Sequence, residues 1–294
     1  MAATPGFIVR LGGRLGNQMF QYAAGLALAQ RTGEHVAFEG FGEDSSKKSR
    51  TQVFRSFGIE ADFRPIDPGL LDKTAVALAK RVPGCPVRLR GMRLFLERQF
   101  HFDPRFGHLA PGHYLIGRWQ SPRYFPDPDA VLREAFSFHG QMSDNAQSTR
   151  EQIAAADCPV SIHVRRGDYV ENKRTLSRHG ICGLEFYRRA MDYILGRHAA
   201  ASFFVFSDDI DRARAEFGGV DRVHFAPPAS QEEDLHLMAL CRHNIIANST
   251  YSWWSAWLNE TPEKIVVVPR QWFSETMMKR KNTCDLFPED WVLV

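Results

Sequence analysis

The segment 158–169 (CPVSIHVRRGDY) decides the fold that we expect. Its first seven residues form a short, β-favouring apolar run that proline opens and that charge and glycine close, which is the pattern of a buried strand. Ligands of open α/β sheets bind where the strands end. Because Arg165 and Arg166 stand at this point, the segment predicts a phosphate site at the end of a central strand.

Strands and helices alternate after this segment. We expect a helix at 184–197, a strand at 202–206, a helix from 209, a strand at 223–225, a helix at 232–241, a strand at 244–247, a helix from 252 and a strand at 265–268. Such alternation predicts a parallel sheet with helices on both faces.

The N-terminal part opens with another strand and helix. A strand at 7–11 leads through the glycine turn at 12–18 into a helix that ends near Thr32, with Gly33 as its stop. The turn matches neither the dinucleotide fingerprint nor the P-loop, so an ordinary turn and a ligand loop both stay open. The polar segment 137–148 is the expected linker. We therefore divide the α/β chain into a first domain at 1–145, a second domain at 146–270, and a tail at 271–294 that packs back on the first domain.

Composition limits the classes of function. The chain has 294 residues, 44% of them hydrophobic, and a net charge of +3, which favours anionic ligands or an anionic membrane surface without requiring either. Nucleic-acid binding is not expected. Five scattered cysteines without a C-x-x-C pair predict neither a disulfide framework nor a zinc site. With no apolar run of membrane-spanning length, we expect a cytoplasmic protein and leave open a peripheral contact with the inner face of a membrane.

The two arginines are expected to differ in role. If the strand geometry continues, adjacent side chains point to opposite sides, so Arg165 shares its side with His163 and only one arginine grips a phosphate. A guanidinium suits this because its planar fork donates two parallel hydrogen bonds. The alternative is a structural ion pair between an arginine and Asp168. We assign the structural part to Arg166.

A second candidate anion site is the segment 248–254 (NSTYSWW), between a strand and a helix. Hydroxyls and backbone N–H groups at a helix N-terminus bind anions, although the same hydroxyls can simply cap the helix. Two such strand ends together predict a diphosphate site. We expect Trp253 and Trp257 to be core residues. Asp209 and Asp211 form a D-x-D, for which we predict capping and not metal binding.

Five blocks of the sequence then resemble the α-1,2-fucosyltransferase family. They are 12–22 (GGRLGNQMFQY), 117–125 (GRWQSPRYF), 163–170 (HVRRGDYV), 179–187 (HGICGLEFY) and 248–258 (NSTYSWWSAWL). The resemblance implies two Rossmann-like domains facing a cleft, the glycosyltransferase B type. It also implies an inverting transfer of fucose from GDP-fucose, with no cofactor and no metal. In such an enzyme the 1–145 domain would be the acceptor-side domain and the 146–270 domain would bind GDP-fucose.

The resemblance assigns roles to individual residues. Arg165 would bind the β-phosphate, His163 and Asp234 would face the guanine or its ribose, and Asn17 would lie in the cleft near the pyrophosphate or fucose. Further donor-binding residues are expected in the 248–254 segment. They are Asn248, Ser249, Thr250 and Ser252. Asp168 and Glu171 are the candidates for a general base.

The expected reaction is transfer of L-fucose to the 2-hydroxyl of a terminal galactose. The acceptor would be an oligosaccharide or a lipid-linked glycan, read by the loops at 40–66 and 95–125. The alternatives are a fucosyltransferase of other linkage or acceptor, and a non-catalytic subunit that binds a GDP-sugar.

Overall fold

The protein has two compact α/β units in the computed structural model, which describes residues 5–40, 52–66, 69–82, 84–125, 130–167, 176–177 and 180–294. The first unit comprises Met1–Phe136 and Asn282–Phe287, and the second comprises Ser137–Lys281 and Pro288–Val294. Each unit contains one six-stranded sheet.

The first sheet is parallel except at one edge. Its strands are β1 (Phe7–Arg10), β2 (Val36–Gly40), β3 (Phe63–Pro65), β4 (Arg88–Leu89), β5 (Met92–Leu96) and β6 (His113–Ile116). They lie in the order β3-β2-β1-β6-β5-β4, and only the β4–β5 pair is antiparallel. The α-helices of this unit are α1 (Leu15–Thr32), α2 (Gln52–Phe57), α3 (Leu70–Arg81) and α4 (Ala130–Ala135).

The first helix follows the expected pattern. Apolar residues at helical spacing, among them Phe20, Ala24 and Leu28, are fully buried. The helix ends at Gly33, whose φ of 69° is left-handed and whose N–H bonds to the Ala29 carbonyl. The predicted strand, glycine turn and helix are thus confirmed, with the strand ending at Arg10.

The second sheet is parallel throughout the residues described. Its strands are β7 (Cys158–Val164), β8 (Ala201–Ser207), β9 (Val223–Phe225), β10 (His243–Ile245), β11 (Val266–Val268) and β12 (Val292–Leu293), in the order β12-β11-β10-β7-β8-β9. The α-helices of this unit are α5 (Asp144–Ala155), α6 (Leu184–Leu195), α7 (Ile210–Phe217), α8 (Gln231–Leu240), α9 (Thr250–Leu258) and α10 (Glu275–Met278).

Helices cover both faces of this sheet, as the alternation predicted. Along β8, Phe203 and Val205 enter a core with α6 and α7, whereas Phe204 and Phe206 enter a core with α5 and α8. Because side chains alternate between two buried faces, residues 203–206 of the strand are all apolar.

The expected linker at 137–148 is wrong in its second half. Helix α5 begins at Asp144, and the Ser143 side chain accepts a hydrogen bond from the Ala146 N–H as its N-cap. The Ser143 N–H also donates to Glu233 of α8, 2.5 Å away. Small polar residues in this segment therefore start a helix. The boundary between the two units lies between Phe136 and Ser137.

The tail at 271–294 is shared between the units. Asn282–Phe287 belongs to the first unit, where the Phe102 N–H donates to Asp285 at 2.9 Å. Beyond it, β12 pairs with β11 at the edge of the second sheet. Among the described residues, no helix combines the length and the hydropathy needed to cross a bilayer.

Candidate active site

Three neighbouring parallel strands of the second unit end at one edge of the sheet. Strand β7 lies between β8 and β10. Arg165 follows β7, Asp208 follows β8, and the 248–252 segment follows β10. The carboxyl edge of the sheet thus gathers the residues that the sequence placed in two separate motifs.

Arg165 is anchored by a carboxylate on the next strand. Its Nη1 lies 3.2 Å from Asp208 Oδ2, and its side chain is 13% exposed. Asp208 Oδ1 also accepts the N–H groups of Arg166 and Gly167, at 2.8 and 3.2 Å. Burial alone would raise the pKa of Asp208, but the Arg165 charge and the two N–H groups lower it below its usual value. Asp208 therefore stays ionised and fixes the guanidinium at the strand end.

Arg166 has a structural part, as the sequence predicted, and its partner is Glu216, whereas the expected partner Asp168 lies outside the described residues. Its Nε contacts both oxygens of Glu216, at 2.9 and 3.0 Å, and its Nη2 lies 2.7 Å from Oε2. The guanidinium is buried and lies over the Tyr187 ring. The two adjacent arginines thus have different carboxylate partners, Asp208 for Arg165 and Glu216 for Arg166.

Three polar groups meet beside Arg165. His163 is 3% exposed, and its ring centroid lies 5.4 Å from that of Tyr251. Burial, and then the Arg165 charge, lower the pKa of His163 to about 3, so the imidazole is neutral at working pH. Burial, and then the Glu233 charge, raise the pKa of Asp234 to about 7.

Two atoms of this group are buried without a hydrogen-bond partner among the described residues. They are Nδ1 of His163 and Oδ1 of Asp234. Buried polar atoms are almost always satisfied in folded proteins, so an unsatisfied pair beside a guanidinium is typical of a ligand site. Burial, and then the Asp234 charge, raise the pKa of Tyr251, the Arg165 charge lowers it, and the Tyr251 ring lies beside His163.

The 248–252 segment forms the start of α9. Ser249 is the N-cap residue, but its side chain makes no capping hydrogen bond, so the capping alternative is wrong for this residue. Ser252 is fully buried and donates to the Ser249 carbonyl at 3.3 Å. Asn248 donates to the Trp272 carbonyl at 3.3 Å. The first N–H groups of α9, beginning at Thr250, keep the orientation that binds anions.

Two other predictions for this region are confirmed. Trp253 and Trp257 lie in the core, with 0% and 2% exposure. The Asp209 side chain accepts the Arg212 N–H and so caps α7.

Asn17 lies in the first unit, at the carboxyl edge of its sheet. Its Oδ1 accepts from Gln120 Nε2 at 2.6 Å. The preceding glycine turn is held by Gln21, which accepts the Gly12 N–H at 2.8 Å and donates to the Gly117 carbonyl at 2.9 Å. Gly13 has a φ of 92°, and a Cβ there would lie 2.6 Å from Asn17 Nδ2. The turn is therefore a shaped loop that only glycine allows.

Glu97 organises the loop that reaches Asn17. Burial raises its pKa to about 7, against the lowering effect of the N–H groups of Arg118 and Trp119 that it accepts. Trp119 has a left-handed φ of 56°. The Arg118 side chain donates to the Gly12 carbonyl at 2.7 Å. Gln120, two residues further along the chain, donates to Asn17 Oδ1.

Some of these residues were absent from the sequence-based site. Asp208 could have been found as the residue after the strand beside β7, and Tyr251 lies within the quoted 248–254 segment. Glu97 gave no signal, because the sequence around it has no clear period. The general-base candidates Asp168 and Glu171 lie outside the described residues.

Only one group of potential metal ligands occurs among the residues described, at the opposite edge of the second sheet. It comprises Cys158, His198 and His243, whose ligand atoms lie within 4.8 Å of one another. However, His243 Nδ1 accepts the Ile265 N–H at 2.9 Å, so the neutral imidazole carries its proton on Nε2. That proton occupies the nitrogen that would bind a metal, and the three residues do not fit a metal site.

Comparison with known proteins identifies the class. Residues 105–294 match the model of glycosyl transferase family 11, and the chain belongs to this family. It is 33% identical to an α-1,2-colitosyltransferase of Escherichia coli over 301 aligned residues, which cover 98% of each chain. The resemblance to the α-1,2-fucosyltransferases is thereby confirmed.

Other relatives are more distant. The O-antigen biosynthesis glycosyltransferase WbnK of Escherichia coli is 27% identical, over 96% of this chain and 98% of its own. Galactoside α-(1,2)-fucosyltransferase 1 of Lagothrix lagotricha is 28% identical, over 84% of this chain and 63% of its own. Among solved structures, the fucosyltransferase NodZ from Bradyrhizobium matches 85% of this chain and 91% of its own, at 13% identity and a TM-score of 0.46.

The Arg166–Glu216 pair generates a prediction about stability. Replacing Arg166 with Ala leaves Glu216 without its buried partner, so we expect the free energy of unfolding to fall by about 3 kcal/mol. Urea denaturation measures this value. Arg212→Ala is the matched control, because Arg212 contacts the same carboxylate from a more exposed position, 3.3 Å away. It should cost less than about 1 kcal/mol. Equal losses in both variants would contradict the structural role of Arg166.

Proposed function

We propose that this protein transfers L-fucose from GDP-fucose to the 2-hydroxyl of a terminal galactose, on an oligosaccharide or a lipid-linked glycan, with inversion. The observation that carries the proposal is the group of Arg165, His163, Asp234 and Tyr251 at the carboxyl edge of the second sheet. It combines one anchored cation with two unsatisfied buried polar atoms. Membership of glycosyl transferase family 11 gives the reaction class.

In this proposal the second unit binds the donor. Arg165 holds the β-phosphate, and the N–H groups at the start of α9, with the Ser249 and Thr250 hydroxyls, bind the diphosphate from the neighbouring strand end. The ionised Asp234 carboxylate accepts the N1–H and 2-amino hydrogens of guanine. Adenine lacks this pair of donors and would leave the carboxylate buried and unpaired. The neutral His163 faces the base or its ribose.

The reaction is a single displacement at the anomeric carbon. The acceptor oxygen forms the new bond on the face opposite GDP, while the bond from the anomeric carbon to the phosphate oxygen breaks and its electron pair leaves with GDP. The acceptor proton goes to a base, for which Asp168 and Glu171 remain the candidates. Asn17 is assigned to the pyrophosphate or fucose.

Charge that grows on the leaving phosphate needs stabilisation in the transition state. Arg165 is suited to supply it, because Asp208 has already oriented the guanidinium and little reorganisation is required. We propose that this cation and the N-terminus of α9 replace a metal ion, so that the reaction needs neither a metal nor another cofactor.

A second candidate function differs only in the donor sugar. The 33% identical relative is a colitosyltransferase, and colitose is fucose without its 3-hydroxyl. GDP-colitose would use the same contacts for guanine and diphosphate. A transferase of other linkage or acceptor, and a non-catalytic subunit that binds a GDP-sugar, are the remaining alternatives.

The test is a transfer assay with each donor. The protein is incubated with lactose and a chelator, and with GDP-fucose or GDP-colitose, and the linkage and anomeric configuration of the product are read by NMR. We expect an α-1,2-linked fucosyl product at the same rate with and without chelator. A faster reaction with GDP-colitose would make GDP-colitose the donor in place of GDP-fucose. Loss of transfer with chelator would refute metal independence, and GDP-fucose binding without transfer to any galactoside would indicate the non-catalytic alternative.

Arg165→Ala tests the role of the anchored cation. We expect kcat to fall on the order of 10² to 10³-fold, the usual effect of deleting one donor to a developing negative charge. Steady-state kinetics with GDP-fucose measure the loss. Arg189→Ala, an exposed arginine of α6, is the control and should retain full activity. Near-normal turnover of the Arg165→Ala variant would contradict the proposal that Arg165 stabilises the leaving phosphate.

Asp234 predicts a pH dependence of donor binding. Its carboxyl has a pKa of about 7, and guanine binds the ionised form, so affinity should rise with pH up to about pH 7. Below that value it should fall by about tenfold per pH unit. GDP-fucose is the right ligand for calorimetry, because its diphosphate is esterified at both ends and does not titrate in this range. Asp234→Asn should bind weakly with a flat profile. An unchanged slope in that variant would assign the dependence to another group.

A further inference from the structure

Positive charge is concentrated in one short segment of the first unit. Residues 70–93 contain six Lys and Arg residues and one acidic residue, so the segment carries +5 while the whole chain carries +3. The segment comprises α3 and the β4–β5 hairpin at the edge of the sheet. The rest of the chain is therefore slightly acidic.

Helix α3 separates its residues into two faces. Ala75 and Val76 pack against the core of the first unit, and Ala79 is buried. The one acidic residue of the helix, Asp72, is turned to the hairpin, where it lies 3.3 Å from Arg90. The outer surface of the helix carries Lys73, Lys80 and Arg81, all of them exposed.

Apolar side chains are exposed among these cations. Leu78 and Val82 are each 47% exposed at the C-terminal end of the helix. We call the set of Lys73, Leu78, Lys80, Arg81 and Val82 the α3 outer surface. Basic residues in a last turn complement the helix dipole, but that effect does not account for large aliphatic side chains left in water beside them.

The hairpin extends the positive charge along the sheet edge. Arg88 of β4 pairs directly with Arg93 of β5, and both are exposed. Like charges at directly opposed positions repel each other. No ion pair of either residue occurs within the part of the chain that the structure describes. Arg88 and Arg93 therefore add exposed positive charge beside the α3 outer surface, whereas Arg90 of the same hairpin is paired with Glu39 and Asp72.

We propose that the α3 outer surface docks the protein on an anionic lipid bilayer. Clustered Lys and Arg side chains are attracted to anionic headgroups, and aliphatic side chains between them enter the boundary of the acyl chains. The aliphatic component favours lipid over nucleic acid, because a phosphate backbone offers no apolar phase to Leu78 and Val82. Docking through this surface brings the protein to the plane in which lipid-linked molecules lie.

Binding to vesicles of defined composition tests the proposal without any transfer reaction. The full chain is sedimented with phosphatidylcholine vesicles, with and without phosphatidylglycerol. We expect binding only with phosphatidylglycerol, and weaker binding as salt is raised. Each Lys or Arg near an anionic surface contributes about 1 kcal/mol, so the K73Q/K80Q/R81Q variant should bind on the order of a hundredfold more weakly. L78S/V82S should also bind more weakly, although its charge is unchanged.

The matched control removes three exposed arginines from the second unit, as R188Q/R189Q/R280Q, and should bind as the natural chain does. Transfer to soluble lactose should be the same in the K73Q/K80Q/R81Q variant, since α3 has no part in the proposed chemistry. Equal binding to both kinds of vesicle, equal losses in the control, or retention by single-stranded nucleic acid without vesicle binding would each overturn the proposal.

Discussion

The ion pair between Arg165 and Asp208 is the interaction on which the site depends. It joins the ends of two adjacent parallel strands, and the same carboxylate accepts the next two backbone N–H groups. One side chain thus sets the path of the chain after β7 and the direction of the guanidinium. Preorganisation of this kind suits catalysis, because the cation does not have to be reoriented when negative charge develops.

Arg166 shows how a neighbouring residue of the same type is held in a structural contact. Its guanidinium is committed to Glu216 on the opposite face of the sheet, packed over Tyr187. Both arginines follow the last residue of β7, Val164, and the two guanidiniums have different carboxylate partners, Asp208 for Arg165 and Glu216 for Arg166. A pair of arginines in a motif therefore does not imply two phosphate contacts.

Sequence reasoning reached the architecture because the patterns concerned are local. Three local patterns sufficed: the mainly apolar, β-favouring run of β7, the helical spacing of Phe20, Ala24 and Leu28, and Gly33 as a helix stop. Tertiary contacts were harder to foresee. Asp208 matters because β8 lies beside β7, and the position of Glu97 depends on hydrogen bonds to residues more than twenty positions away. In the 137–148 segment, a serine that caps a helix was interpreted as part of a linker.

Neither unit is a continuous stretch of chain, and this affects how the protein folds during synthesis. The first unit includes Asn282–Phe287, in which Asp285 accepts a hydrogen bond from the Phe102 N–H. The edge strand of the second sheet is Val292–Leu293. When the first 281 residues have been synthesised, each unit therefore still lacks part of its chain. Both are completed only when residues 282–294 emerge, and until then the second sheet lacks its edge strand β12 and the first unit lacks its contact with Asp285.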